Sequence, residues 1–136
     1  MAILVIEDDG DVRGCVSQLL RSEGFTVDGA ENGQEALAYL RTHPAPSLIL
    51  LDLTLPVVDG VEFRKRQLAD ARLAKIPVIV LSGRRDGPTC ARKIGAADFL
   101  EKPVNLDELL HVVQNRAITV TRAEHYLRGA LRMRPT

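Results

Sequence analysis

The sequence predicts an α/β fold in which five strands alternate with five helices and build one parallel sheet covered on both faces. Three observations point there. Residues 2–6, 48–51 and 76–81 are short, wholly apolar runs, too brief for stable helices and suited to strands buried on both sides. The segments between them carry apolar residues at helical spacing. Each run also ends in polar side chains: Glu7 and Asp8, then Asp52, then Ser82. Strands separated by helices close into a parallel sheet because right-handed crossovers allow little else.

The first strand, Ala2 to Ile6, runs straight into Glu7-Asp8-Asp9. Asp9 or Asp11 can cap the next helix, whose stripe of Val12, Val16, Leu19 and Leu20 lasts until Gly24. Phe25 to Val27 reads as a short second strand. Asn32-Gly33 opens a helix carrying Ala36, Leu37 and Leu40, which the His43-Pro44-Ala45-Pro46 turn closes. Leu48 to Leu51 is the central strand, bounded by Pro46 and Pro56, and Asp52 emerges at its carboxyl end. After Asp59-Gly60 a third helix with Val61, Phe63 and Leu68 extends to about Ala71. Ile76 to Leu81 forms the fourth strand. The following helix is short: it begins near Pro88, a favourable first helical residue, and Gly95 ends it. Asp98 to Leu100 is the fifth strand, and Asn105 starts a last helix with Leu106, Leu109, Leu110 and Val113 on one face.

A chain of 136 residues suits one domain with a sizeable core. Its 46% hydrophobic and 26% charged content is ordinary for a globular protein, so neither disorder nor a membrane span is expected. The apolar start lacks a basic leader and a small-residue cleavage site, which excludes a signal peptide and leaves a cytoplasmic location as the expectation. Cys15 and Cys90 make neither a CxxC spacing nor a disulfide framework and read as reduced thiols. His43, His111 and His125 have no partner pattern and read as surface side chains.

The polar residues at the strand ends form one constellation. Taken alone, Asp52 would be a turn former, Lys102 a solvated charge, and Glu7, Asp8 and Asp9 favourable neighbours of a helix dipole. For Asp9 and Asp11 that simpler role is preferred. Carboxylates brought together repel, at about 4 kcal/mol per close pair for an effective dielectric near 20, so Glu7, Asp8 and Asp52 call for a cation or shifted pKa values. All-oxygen ligands favour a hard ion, and Mg²⁺ suits a site that keeps several waters and meets phosphate. Ser82 can hydrogen-bond a phosphoryl oxygen, and Lys102 can pair with Asp52 at rest and with a phosphoryl group later. Asp52 can then act as a nucleophile and form an aspartyl phosphate.

At these residues the sequence resembles a response-regulator receiver domain of two-component signalling, in particular the single-domain chemotaxis-regulator type. The resemblance covers about Ala2 to Gln114 and rests on IEDD at 6–9, LDLTLPVVDG at 51–60, VIVLSG at 78–83 and GAADFLEKPV at 95–104. It implies a flavodoxin-like doubly wound (βα)5 sheet of order 2-1-3-4-5. It also implies Asp52 as phosphoacceptor, Asp8 as direct Mg²⁺ ligand, Glu7 holding the metal through water, and the Thr54 carbonyl as a further ligand. Ser82 and Phe99 are implied as a switch pair, in which phosphate draws the hydroxyl inward and the ring follows. Thr54 and Arg84, two residues beyond Asp52 and Ser82, are implied as tuners of phosphoryl lifetime. Without the resemblance both would be loop residues, and Phe99 could equally be core filling. The implied donor is a histidine kinase or histidine phosphotransfer protein. The implied output is an altered protein-binding surface, a phosphorylation-dependent homodimer included, without direct DNA or membrane binding. Such a protein is a signalling phosphoacceptor rather than an enzyme, catalysing only its own phosphorylation and autodephosphorylation.

Two departures stand out. From Ser82 to Lys102 the chain is about two residues shorter than the family pattern, with Gly83, Gly87 and Pro88 crowding the start of the short helix. Residues 1–116 are read as the receiver domain and 117–136 as a basic helical extension or linker stub, where Ala117, Val120, Leu127 and Leu131 continue the apolar stripe. Arg116 and the four arginines that follow it, opposed by Glu124 alone, make the last 21 residues basic and leave the body acidic. Two other readings stay open. An aspartyl-phosphate hydrolase would need a second acid two residues after the nucleophile, where Thr54 stands; a receiver-like module could bind partners without phosphorylation.

Overall fold

The computed structural model describes residues 1–116, so the extension expected over 117–136 lies outside the described residues. In chain order it contains β1 (Ala2–Ile6), α1 (Gly10–Ser22), β2 (Thr26–Ala30), α2 (Gly33–Thr42), β3 (Leu48–Asp52), α3 (Gly60–Leu68), β4 (Val78–Ser82), α4 (Gly87–Lys93) and β5 (Asp98–Glu101), followed by α5, helical over residues 106–116. The strands are all parallel and lie in the order β2-β1-β3-β4-β5. This is the predicted doubly wound sheet.

Side chains alternate across a strand, and here both sets are apolar because both faces are covered. Leu4, Ile6, Ile49, Leu51, Val78 and Val80 face one layer with Leu37 and Leu40 of α2, Phe63 of α3 and Ala91 of α4. Ile3, Val5, Leu48, Leu50, Ile79 and Leu81 face the other, against Val16 and Leu20 of α1 and Leu109 and Val113 of α5. Burying each such side chain contributes about 1.5–3 kcal/mol, so the three central strands anchor the sheet.

The differences from the sequence reading lie at the margins. β2 starts after Phe25 and runs on through Asp28 and Gly29 to Ala30. As an edge strand it buries only Val27 and Ala30, so it carries no continuous apolar run to mark its end. Ile76 is buried but precedes β4; its carbonyl and that of Leu73 accept hydrogen bonds from the buried Gln67 amide, both at 3.0 Å, which holds this stretch as a turn. α3 stops at Leu68 rather than near Ala71, and Leu68 and Leu106 are exposed rather than core.

The helix ends follow local chemistry. Asp9 rather than Asp11 caps α1, its Oδ1 accepting from the Asp11 and Val12 amides at 2.9 and 3.2 Å. Asn32, Asp59 and Asn105 do the same for α2, α3 and α5. α4 has only seven residues, as its sequence foretold.

Candidate functional site

The register places the carboxyl ends of β1, β3, β4 and β5 along one edge of the sheet. Ile6 pairs with Leu51, Asp52 with Leu81, and Ser82 with Glu101. Glu7 follows β1, Asp52 and Ser82 are the last residues of β3 and β4, and Lys102 follows β5. Such an edge is where ligands meet an open α/β sheet.

Glu7, Asp52 and Ser82 are almost wholly buried, at 1%, 4% and 1% exposure, whereas Asp8 is exposed. Carboxylate oxygens of Glu7, Asp8 and Asp52 all lie within 4.8 Å of one another. Lys102 Nζ bridges two of them, 2.6 Å from Glu7 Oε1 and 3.1 Å from Asp52 Oδ2. The Thr54 amide donates to Asp52 Oδ1 at 3.0 Å. These residues, with Asp9, Val12, Gly83 and Arg84, line an open cleft of about 450 Å³.

Charge is incompletely balanced. Burial above all, and then the neighbouring Asp52 carboxylate, push the Glu7 carboxyl up to about 7 from 4.5, against the pull of Lys102. Burial lowers the Lys102 pKa, but its hydrogen bonds to Glu7 and Asp52 and their charges outweigh that and raise it. Glu7 Oε2 is buried and has no hydrogen-bond partner among the described residues. An unpaired buried carboxylate oxygen is costly, and a hard divalent cation among three carboxylates would relieve it. The donor set therefore fits Mg²⁺.

The remaining expected residues surround this centre. Ser82 Oγ accepts from the Arg84 amide at 3.1 Å. Thr54 and Arg84 are exposed beside the cleft, and the Arg84 guanidinium is paired with Asp86 at 2.8 Å. Phe99 is half-buried in β5, one wall of a groove with Pro88 and Ala91 of α4. Cys15 and Cys90 are free thiols; His43 and His111 are exposed, His43 stacking on Tyr39 at 4.0 Å, and His125 lies outside the described residues.

Sequence reasoning overlooked Arg13. Its Nη1 donates to the Glu7 carbonyl at 2.7 Å and its Nη2 lies 3.6 Å from Glu31 Oε1, while its stem passes over Gly29. Arg64 was overlooked as well: it is buried in α3 and donates to the Ile94 and Gly95 carbonyls at 2.9 and 3.1 Å. A cation one turn into a helix, or amid an apolar stripe, is the only sequence signal either residue gives.

The response regulator receiver domain family matches residues 3–114. Response regulator Rre1 of Synechocystis is 38% identical over 120 residues, which cover 85% of this chain and 51% of that protein. The chain spans about half the length of the first such relatives. Among solved structures, chemotaxis response regulator CheY4 of Vibrio cholerae superposes with a TM-score of 0.77 at 28% identity, covering 85% of this chain and 97% of that one. The Mn²⁺-bound form of response regulator Rcp1 superposes with a TM-score of 0.70 at 30% identity, covering 84% and 89%. Sheet order, strand-end residues and these matches agree: the chain belongs to the response regulator receiver domain family of two-component signalling.

Proposed function

We propose that the chain is a Mg²⁺-dependent phosphoacceptor whose acceptor is Asp52 and whose donor is the phosphohistidine of a histidine kinase or phosphotransfer protein. The observation that carries this reading is the position of Asp52: buried, held by Lys102 at 3.1 Å and by the Thr54 amide at 3.0 Å, and within 4.8 Å of two further carboxylates. Two contacts fix its carboxylate in one orientation, which lowers the entropic part of the barrier to attack.

Glu7, Asp8, Asp52 and the Thr54 carbonyl are the residues that would hold the metal, as the Mn²⁺-bound form of the similar Rcp1 suggests. Mg²⁺ would neutralise charge on the carboxylates and on the phosphoryl oxygens. An Asp52 oxygen attacks phosphorus, the O–P bond forms as the donor's P–N bond breaks, and the imidazole leaves with the electron pair and takes up a proton. Lys102 turns its ammonium to the new phosphoryl oxygens, and the Ser82 hydroxyl donates to one of them. Ser82 then gives up the Arg84 amide, and Phe99 moves with it, altering the face built by α4 and β5. That face is the surface proposed for an output protein or a second phosphorylated copy. Arg84 and Thr54 at the cleft mouth control how readily water reaches the acyl phosphate, so hydrolysis is self-limiting and the chain works as a cytoplasmic signal carrier rather than a turnover enzyme. A small-molecule hydrolase is disfavoured, because Thr54 stands where its second acid is needed.

Incubation with acetyl phosphate should add one phosphate by intact mass only when Mg²⁺ is present, and none to Asp52→Asn. An equal adduct on that variant would overturn the assignment.

A further inference from the structure

We propose that Gly87 is a positioning residue of the switch: lacking a side chain, it leaves open the space beneath the first turn of α4 that borders both Ser82 and the Phe99 ring. The proposal rests on the reading of Asp52 as phosphoacceptor and deepens it. A Cβ built on Gly87 would lie 3.0 and 3.1 Å from Phe99 Cε2 and Cζ and 3.3 Å from Ser82 Cβ. One buried backbone position thus touches both members of the pair. Gly87 is not in the left-handed region, which holds only Gly24 and Gly95 among the described glycines, so alanine would add a methyl group and no backbone strain.

Hydrogen bonds make the same point. Ser82 Oγ accepts from the Arg84 amide at 3.1 Å, and the Arg84 carbonyl accepts from the Gly87 amide at 3.1 Å, so the start of α4 is tied to the serine hydroxyl through one turn. No side chain caps this end: the Asp86 carboxylate at the cap position is turned to the Arg84 guanidinium. The other end is held. Arg64 reaches from α3 to the Ile94 and Gly95 carbonyls, the position where a cation suits a helix dipole. α4 is therefore a short, stiff rod fixed at its carboxyl end and resting at its amino end on the two residues that move. A side chain at 87 would press on the ring and set its position whatever the state of Asp52.

The test uses the full chain carrying 4-fluorophenylalanine at Phe25, Phe63 and Phe99, with the Phe99 fluorine resonance assigned by its loss in Phe99→Leu. Acetyl phosphate with Mg²⁺ should move that resonance in the unaltered protein. In Gly87→Ala the movement should be about fivefold smaller, although the phosphate adduct stays within about twofold by mass. Gly14→Ala, on the exposed side of α1, where a Cβ would meet nothing within 4 Å, should respond fully. An undiminished response in Gly87→Ala, or a stationary resonance in phosphorylated unaltered protein, overturns this proposal alone; absence of any adduct on the unaltered protein overturns the phosphoacceptor reading and this one with it. Should Gly87→Ala not fold, recovery of folding in Gly87→Ala/Phe99→Leu supports the contact, and failure of both overturns it.

Discussion

Lys102 Nζ lies closer to Glu7 Oε1, at 2.6 Å, than to Asp52 Oδ2, at 3.1 Å. The lysine thus joins the ends of β1 and β3 and holds the two buried carboxylates together. Its replacement by Met should destabilise the metal-free protein by about 2 kcal/mol, with much of that returned by Mg²⁺, because a cation again faces Glu7 and Asp52. Phosphoryl uptake from acetyl phosphate should slow roughly a hundredfold, the usual effect of losing one donor to a developing phosphoryl charge. Melting curves with and without Mg²⁺, together with uptake rates, check both statements.

The raised pKa of Glu7 fixes the sign of the pH dependence. The folded state holds this proton up to about 7 and the unfolded chain releases it near 4.5, so between those values the folded state binds more protons. Metal-free stability should be greatest below about 4.5 as far as Glu7 is concerned and fall as pH rises to about 7, by on the order of 3 kcal/mol at most. Mg²⁺ needs the ionised form, so its affinity should rise over the same interval. Calorimetry at pH 5.5 and 8 should show proton release on Mg²⁺ binding at the lower pH only; equal release at both would contradict the assignment.

Val57 occupies left-handed backbone at φ 66° although it is β-branched and 73% exposed. Asparagine tolerates that region and no packing is lost on replacing the valine, so Val57→Asn should stabilise the protein by about 1 kcal/mol. In a chain of this size that is roughly 2–4 °C in Tm. Val57→Ala keeps the strained backbone and should change little.

Gly60 lies where the loop after β3 turns back onto the strand end. Its amide donates to the Leu53 carbonyl at 3.0 Å, and a Cβ would come within 2.6 Å of the Asp52 carbonyl oxygen and 2.7 Å of Leu53 Cα. Those are backbone atoms and cannot swing aside. Gly60→Ala should therefore cost about 3 kcal/mol in denaturant melts and slow phosphoryl uptake as well, since Asp52 shifts with its strand.

Much of this was legible in the residues because parallel strands buried on both faces write themselves as unbroken apolar runs. β1, β3 and most of β4 are visible for that reason, and so are Glu7, Asp52 and Ser82 at their ends. β2 was misplaced because an edge strand buries only Val27 and Ala30. Lys102 was expected to face Asp52, but its closer partner, Glu7, is 95 residues away and no local pattern reports that distance. Arg13, Arg64 and Gly87 act through backbone carbonyls or through an absent side chain, and their partners are set only by how helices settle on the sheet.

Borohydride reduction of the protein after treatment with acetyl phosphate and Mg²⁺, followed by peptide mapping, tests the central claim most directly, since it converts an aspartyl phosphate to homoserine at the residue that carried it. Homoserine is expected in place of Asp52 and nowhere else. Homoserine at Asp8 or another aspartate, with Asp52 intact, would contradict that assignment.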